Sequence, residues 1–290
     1  MRERETPTEI NEKLKEVNEI VKNGFEKLVG EVKEGHTENY LEYLKFVSRF
    51  HKYSHFNQML IFSQKPDATL VAGYRSWQEM GHQVKAGEKG IKIIAPIFVK
   101  NVEENELGQL TSLQKLVGFR VVSVFDSSQL TEPAKAFWDF RKNIPNDADD
   151  KYQLVKHAVI SDALGIIETP MPRGKRGEAK EDVIYLQECM DSVDRTNVLI
   201  HEWGHEILHF GPGRSLIDAV DLPKAIEECQ AESVSYVVSN FLGMENQFSR
   251  DYLLHYGNTA ETLIQNMDII QKTSHYMIQK IEWILREQGT

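Results

Sequence analysis

The stretch Asn197-Val-Leu-Ile-His-Glu-Trp-Gly-His205 carries the strongest structural signal in the chain. Its two histidines are four residues apart, so a helix places both imidazoles on one face, where they can reach a single metal ion. Glu202 then lies beside the metal and can accept a proton from zinc-bound water. The apolar residues before His201 are typical of a buried helix. The stretch predicts a zinc site, and the competing interpretation is a half-buried helix with two hydrogen-bonded histidines.

A catalytic zinc site also needs a third protein ligand and an open position for water. The extended motif with glycine at 208 and histidine at 211 is excluded, because the chain has Leu208 and Gly211. His209 lies about 12 Å from His201 along a helix axis, too far to share the ion. We therefore expect His209 to contribute packing and look for the ligand further downstream.

The stretch Ala225-Ile-Glu-Glu-Cys-Gln-Ala-Glu232 opens a second helix and offers that ligand. Glu228 and Glu232 are four residues apart and share a face, so one can bind the metal while the other orients a histidine ring. Glu227 fits a solvated, acidic helix start. Cys229 could compete for zinc as a thiolate.

The first half of the chain reads as helices followed by a small antiparallel sheet. The periodicity predicts an amphipathic helix over 8–29 and a second helix from about 37 to 63. Short β-type runs follow at 82–85, 91–99 and 117–125, and the turn residues at 86–90 predict a hairpin between the first two. The fold class expected for the whole chain is α+β.

A polar segment at 141–151 marks the expected linker between a first domain, 1–140, and a second domain, 152–290. The second domain is expected to be mainly helical, with helical patterns near 194–210, 222–242 and 250–287. Its short sheet includes a strand at 182–186, which could pair with an extended substrate if it is an edge strand. The basic loop at 169–180 could act as a lid.

Charge is distributed unevenly over the 290 residues. The chain has a net charge of −10, yet residues 41–100 carry nine basic and four acidic residues. Two cysteines, Cys189 and Cys229, cannot build a disulfide framework, and the N-terminus has no apolar signal core. No stretch has the roughly 20 apolar residues of a membrane span. We therefore expect a cytoplasmic protein without a membrane partner.

The basic segment combines cations with aromatic side chains, as single-stranded nucleic-acid binders do. The cations are Lys52, Arg75, Lys85, Lys89 and Lys92, and the aromatic residues include Tyr53, Tyr74 and Trp77. An alternative is that the lysines are ordinary surface residues and that Trp77 packs between helix and sheet. Gly87 and Gly90 would allow a backbone to approach phosphates closely.

The pattern His201-Glu-x-x-His205 followed by Glu228-x-x-Ala231 resembles the ImmA/IrrE-type metallopeptidases and the ArdC antirestriction proteins. The resemblance implies a gluzincin-like site in which His201, His205 and Glu228 hold one Zn²⁺. Glu232 then supports the ligands from behind, and Glu202 is the general base. One departure is Glu206, since these signatures usually have an uncharged residue directly after the second histidine.

Three stretches of the first half resemble the ArdC N-terminal single-stranded-DNA-binding module. They are Tyr53-Ser-His-Phe-Asn57, the pattern running from Ala72 through Trp77, Gly81, Gly87 and Gly90 to Pro96, and Phe125-Asp-Ser-Ser-Gln129. The resemblance covers roughly residues 8–285. It adds Asn57 to the candidate DNA contacts and implies a role in protecting incoming DNA of a mobile genetic element from restriction.

The sequence thus predicts a DNA-binding zinc endopeptidase with an unidentified peptide substrate. Tyr185, Tyr236 and His255 are candidates for stabilising an oxyanion. Two alternatives stay open: an ImmA-like regulatory protease that cleaves a repressor, and a DNA-binding antirestriction factor with a non-catalytic metal. Manganese or cobalt could replace zinc, because similar ligands accept each of them.

Overall fold

The computed structural model describes residues 7–104, 110–134, 140–180, 182–210, 222–246 and 266–288. Its internal contacts divide the chain into two compact units. Unit 1 comprises Met1–Phe25 and Met59–Phe137, and unit 2 comprises Glu26–Gln58 and Trp138–Thr290. The class is α+β, as predicted.

Unit 1 contains an antiparallel sheet with strand order β1-β3-β2. Helix α1, Pro7–Lys33, begins in this unit, and helix α3, His55–Gln64, ends in it. The remaining elements are β1 (Val71–Gly73), α4 (Tyr74–Glu79), β2 (Ile91–Glu104) and β3 (Leu110–Asp126). Strands β2 and β3 form a long two-stranded ribbon with a β-bulge after Ile97.

One buried apolar cluster of unit 1 forms around Trp77, Val84 and Leu130. Trp77 is fully buried, and its indole N–H donates a 2.8 Å hydrogen bond to the carbonyl of Phe125. Asp126 caps the following turn and accepts hydrogen bonds from the amides of Thr69 and Leu70, at 2.7 and 3.0 Å. These bonds tie β1 to the end of β3.

Unit 2 is mainly helical and carries a second, mixed sheet with strand order β4-β6-β5. Its elements are α2 (Glu38–Arg49), α5 (Ala148–Ile160), β4 (Gly165–Thr169), β5 (Gly177–Lys180), β6 (Val183–Gln187), α6 (Ser192–His205), α7 (Lys224–Phe241) and α8 (Met267–Gln288). A π-helical turn, Glu206–Phe210, continues α6.

Helix α7 is the centre of unit 2 and packs against α2, α6 and α8. Its residues from Cys229 to Ser239 are all buried. One polar contact joins α2 to this buried stretch: the Tyr40 hydroxyl, from α2, lies 3.1 Å from the Ser233 hydroxyl. Helix α2 therefore belongs to the core of unit 2, although the sequence prediction grouped residues 26–58 with the first domain.

The second predicted helix is two helices, α2 and α3, separated at residues 50–54. The reason is that backbone carbonyls in the break are used by distant side chains. The Gln271 amide donates to the carbonyls of His51 and Tyr53, at 3.1 and 3.0 Å, and the Gln58 amide donates to Phe50 at 3.0 Å. The periodicity continues across the break and therefore conceals it.

The predicted hairpin at 82–99 is wrong. Strand β2 pairs with β3, and Val84 forms only an isolated bridge with Leu130. Part of the predicted linker at 141–151 is helical, since α5 begins at Ala148 with Asp147 as its cap. Within the described residues, no helix is long and apolar enough to cross a membrane.

Candidate metal centre

Helix α6 presents the two histidines because both its start and its buried face are fixed. The Asp191 carboxylate accepts a 3.0 Å hydrogen bond from the amide of Asp194 and so caps the helix. Trp203 is fully buried, and its indole N–H donates to Asp162 at 3.0 Å. With this side of the helix held in the core, His201 and His205 are left beside α7.

Three side chains converge on one point. The Nε2 atoms of His201 and His205 lie 3.0 Å apart, and Glu228 Oε2 lies 3.5 and 3.4 Å from them. One ligand atom from each of the three residues falls within 4.8 Å of the others. The structure therefore brings together the three residues that the sequence selected as metal ligands.

The electrostatics of this group suit a cation. Hydrogen bonds from His201 and His205 hold the pKa of the Glu228 carboxyl well below its usual range. Burial disfavours the protonated form of His201, but Glu228 and Glu232 outweigh that effect and raise its pKa. Two imidazoles and a carboxylate whose lone pairs meet at one point form a donor set that divalent transition metals prefer.

Glu202 is buried beside the donor set and contacts strand β5. Burial raises the pKa of Glu202, while the amide of Ala179 donates a hydrogen bond to its carboxylate and opposes that shift. Gly177, two residues earlier, makes room for this approach: a β-carbon there would lie 2.5 Å from Glu202 Oε1. The strand thus positions the carboxylate next to the histidines.

Glu232 lies one turn after Glu228 on α7. Its Oε1 is 3.6 Å from His201 Nδ1, the ring nitrogen that faces away from the donor set. Burial raises the pKa of Glu232. At this distance the contact is electrostatic rather than a hydrogen bond, and it places a carboxylate beside the nitrogen through which such a group can orient a ligating imidazole.

Three neighbouring residues stay outside the donor set. Cys229 is buried, and burial raises its pKa to about 12, so its thiol remains protonated at neutral pH. The ring of His209 packs 5.5 Å from that of His205, centroid to centroid. Glu206 is buried, neither of its carboxylate oxygens has a hydrogen-bond partner among the described residues, and burial raises its pKa.

An open cleft of about 900 Å³ exposes the donor set. Residues 174–179 form one wall, α6 another, and α7 together with Glu245 and Asn246 a third. No described strand pairs with the second edge of β5, since β6 occupies the central position of the sheet, and the amide of Ala179 on β5 donates to Glu202. The edge-strand prediction for residues 182–186 is therefore wrong, and the edge strand lies inside the segment predicted as a basic loop.

Sequence reasoning missed several polar residues of the cleft. Asn197 is held by Ser239, whose hydroxyl donates to its side-chain oxygen at 2.8 Å, and Asn246 donates to Ser235 at 3.3 Å. Asn197, Ser235 and Asn246 line the cleft, but Tyr185 and Tyr236 are not among the described lining residues. His255 lies outside the described residues. No local motif identified these polar residues, since they come together only through the packing of α6 against α7.

The candidate DNA contacts fall in both units. Arg75, Lys85 and Lys89 are exposed in unit 1, and Lys92 forms an ion pair with Glu16 at 2.5 Å. Trp77 belongs to the core of unit 1, so it has no face on which a base could stack, and this part of the prediction is corrected. Exposed Tyr74, on the same helix, accepts a 2.9 Å hydrogen bond from Gln83.

The remaining candidates, Lys52, Tyr53 and Asn57, belong to unit 2. The Lys52 ammonium lies 3.2 Å from the buried carboxylate of Glu282. Tyr53 packs against Phe50 with ring centroids 5.9 Å apart, and the Asn57 amide donates to Ser54. These residues therefore have structural roles at the start of α3.

Comparisons with known proteins identify relatives of both the sequence and the fold. Residues 11–125 match the N-terminal domain of anti-restriction factor ArdC. An uncharacterized Bacillus anthracis protein, pXO2-81, is 25% identical over an alignment 314 positions long. The alignment covers 94% of this chain. The chain spans about half the length of that relative, 50%.

The fold is similar to that of antirestriction protein ArdC from the R388 plasmid. Its metal-free crystal structure has a TM-score of 0.52 with 15% identity and covers 90% of this chain and 97% of its own. Its Mn(II)-bound crystal structure has a TM-score of 0.53 with 16% identity, covering 90% and 98%. That ArdC therefore binds a divalent metal in one of its two crystal structures.

Proposed function

We propose that this chain is a DNA-binding metalloprotein of the ArdC antirestriction type, and that its second unit hydrolyses peptide bonds at one Zn²⁺. The observation that supports this proposal best is the convergence of His201, His205 and Glu228 next to buried Glu202, in an open cleft lined by strand β5. The metal ligands and the general base of a metallopeptidase site are each represented there by residues of the right chemistry.

The donor set supports a resident divalent cation. His201 and His205 offer their Nε2 atoms, and Glu228 offers a carboxylate oxygen within 3.5 Å of both. When bound, zinc supplies a Lewis acid toward water and toward a carbonyl group. The manganese in the ArdC structure supports a metal at this kind of fold, and zinc is our choice because two histidines with one glutamate are typical zinc-protease ligands.

The chain's own residues supply the remaining chemistry. Glu202 accepts a proton from the attacking water and returns it to the leaving amine. The amide of Ala179 holds the Glu202 carboxylate in place, and Glu232 holds the ring of His201. Strand β5 lines the cleft and is the proposed docking strand for an extended peptide, at backbone groups other than the Ala179 amide that holds Glu202.

Single-stranded DNA is the proposed ligand of unit 1. The match of residues 11–125 to the ArdC N-terminal domain supports it, as do the exposed cations Arg75, Lys85 and Lys89. Phosphate contacts by such cations supply most of the affinity of non-specific nucleic-acid binding. Protection of incoming DNA from restriction follows as the proposed biological role.

The deciding experiment compares wild type with Glu202→Gln. We expect the variant to keep near-stoichiometric metal, to lose cleavage of a mixed peptide library followed by mass spectrometry, and to lose protection of transferred plasmid DNA in a restricting host. Glu227→Gln is the matched control, because Glu227 is the acid next to Glu228 but is not in the donor set.

Each outcome separates the alternatives. Unchanged protection by Glu202→Gln would contradict a proteolytic role and favour a non-catalytic metal. Wild-type protein that cleaves peptides but binds no labelled single strand at low salt would instead favour a repressor-cleaving protease. Protein that takes up no divalent metal would contradict the whole site assignment.

A further inference from the structure

The outer part of the β2–β3 ribbon exposes an unusual amount of apolar surface. Half of the large hydrophobic side chains that are exposed in the described part of the chain lie here: Ile97, Phe98, Val99, Leu116, Val117 and Phe119. Phe98 and Phe119 are 53% and 51% exposed. Apolar patches of this kind on a folded protein mark interaction sites.

The strand register places the two phenylalanines on the same face. Phe119 pairs with Pro96, and Phe98 pairs with Leu116. Pro96 and Phe98 are two residues apart in β2 and point to the same side, so their partners do as well. The bulge at Ile97/Phe98 accommodates the extra residue of β3, so Phe98 and Phe119 stay on the same face.

The charge around the phenylalanines is positive. Residues 96–99 and 114–120, which include the exposed apolar side chains, contain Lys115 and Arg120 but no acidic residue, in a chain whose net charge is −10. Lys115 and Arg120 are exposed and belong to β3. Because β1 pairs with β3 only at residues 124–126, the outer edge of β3 is open beside them. The side chains of Lys115 and Arg120 are long enough to reach around this edge to phosphates beside the phenylalanines.

An aromatic face flanked by cations fits a single strand of nucleic acid. Unpaired bases offer flat apolar faces that stack on aromatic rings, while the cations meet the phosphates. A duplex keeps its bases stacked on one another and offers Phe98 no such face. A purely apolar protein partner would leave the surrounding positive charge without a counterpart.

We propose that this ribbon is the base-stacking surface for single-stranded nucleic acid, with Phe98 and Phe119 as the stacking residues and Lys115 and Arg120 at the phosphates. The inference rests on the proposed DNA binding and deepens it by placing the contact. It assigns the stacking role to two exposed residues that the motif-based list of DNA contacts does not contain.

The test measures binding of a fluorescently labelled single-stranded oligonucleotide to the full chain, for wild type and two double variants. We expect Phe98→Ala/Phe119→Ala to weaken binding at least about tenfold, since stacking contributes about 1–3 kcal/mol per base and 1.4 kcal/mol corresponds to tenfold. Its dependence on salt concentration should stay as in wild type. Lys115→Gln/Arg120→Gln should instead weaken the salt dependence. The slope of log binding constant against log salt concentration should become smaller in magnitude by about one to two.

Two controls keep the result interpretable. Ile167→Ala removes an equally exposed apolar side chain from β4 in unit 2 and should bind as wild type does. Phe98→Trp/Phe119→Trp keeps flat aromatic rings and should retain binding. If the alanine variant misfolds, photocrosslinking of a 5-iodouracil oligonucleotide to wild type gives the answer, because the crosslinked peptides should contain residues 96–99 or 116–120.

The possible failures are distinguishable. A wild type that binds and a Phe98→Ala/Phe119→Ala variant that binds equally well would overturn the stacking surface and leave DNA binding standing. A wild type that does not bind would overturn both. Loss of a dimer in the alanine variant without loss of DNA binding would assign the face to a second copy of the chain and overturn the inference.

Discussion

Gly177 approaches the carboxylate of Glu202 so closely that no side chain fits between them. A β-carbon on Gly177 would lie 2.5 Å from Glu202 Oε1, 2.8 Å from its Cγ and 2.6 Å from a methyl of Val198. The glycine therefore fixes the distance between β5 and α6 at the point where Glu202 meets the histidines.

Gly177→Ala should impair catalysis without removing the metal. The new methyl must displace the Glu202 carboxylate, because the flexible end of that side chain gives way more easily than the backbone. We expect peptide cleavage to fall by about 100-fold, the scale of losing a positioned general base. Metal content and turnover of a peptide found in the library screen measure the two effects.

Gly30→Ala is the control for Gly177→Ala, since a β-carbon on Gly30 in α1 meets nothing within 4 Å. Equal activity of both alanine variants would show that Glu202 tolerates displacement and is not the base.

Metal affinity should separate Glu228 from Glu232. Glu228→Ala removes a donor atom and should abolish stoichiometric binding of Zn²⁺ and Mn²⁺ in a titration. Glu232→Ala removes only the partner of His201 Nδ1 and should weaken binding by about 10- to 100-fold. Glu227→Ala should bind as wild type does. The reverse order of Glu228 and Glu232 would exchange their roles.

The site could be predicted from sequence wherever the geometry is local. The four-residue spacing of His201 and His205 dictates a shared helix face, and the structure places both as expected. Helix α7 could be recognised as a helix, but its position against α6 depends on packing that no local pattern encodes. Glu228 was therefore one of two open choices until the family resemblance favoured it.

Strand β5 shows why other features could not be predicted. Its sequence, Gly-Glu-Ala-Lys, is polar and lacks the alternation of a half-buried strand. Pairing with β6 makes it a strand, and that partner follows it in the chain. The ribbon shows the converse, because the turn-like residues at 86–90 suggested a local hairpin while β2 pairs with β3 instead.

Trp77→Ala should destabilise unit 1. The residue is fully buried and donates a hydrogen bond to Phe125, so removing it leaves a cavity and an unpaired carbonyl. The expected loss in the free energy of unfolding is about 3–5 kcal/mol, measured by denaturant unfolding. Trp283→Ala is the control. Trp283 is 49% exposed on α8, so its replacement should lower the free energy of unfolding much less.

Glu282 should make unit 2 sensitive to acid. Burial disfavours its charged form, but His51 at 3.5 Å and Lys52 at 3.2 Å outweigh burial and hold the pKa of the Glu282 carboxyl below its ordinary value. A lowered pKa in the folded state means that the carboxylate stabilises the fold above the unfolded pKa, and that this contribution disappears as pH falls through the folded value.

Glu282→Gln should therefore reduce the free energy of unfolding at pH 7 by about 1–3 kcal/mol. Its difference from wild type should shrink as pH falls below the ordinary glutamate pKa of about 4.3 and the wild-type carboxyl takes up a proton. Denaturant unfolding at pH 3, 5 and 7 measures this. Glu287→Gln, an exposed acid on the same helix, should show little difference at any pH. A Glu282→Gln effect independent of pH would mean that shape rather than charge matters.

The membership of α2 in unit 2 limits how the gene can be cut or exchanged. The hydroxyl of Tyr40 meets Ser233 on the helix that also carries Glu228 and Glu232. A fragment that starts after residue 151 would lose this cover and expose the buried side of α7. A single junction in the gene therefore cannot separate the two units, because residues 26–58 of unit 2 are encoded between the two segments of unit 1.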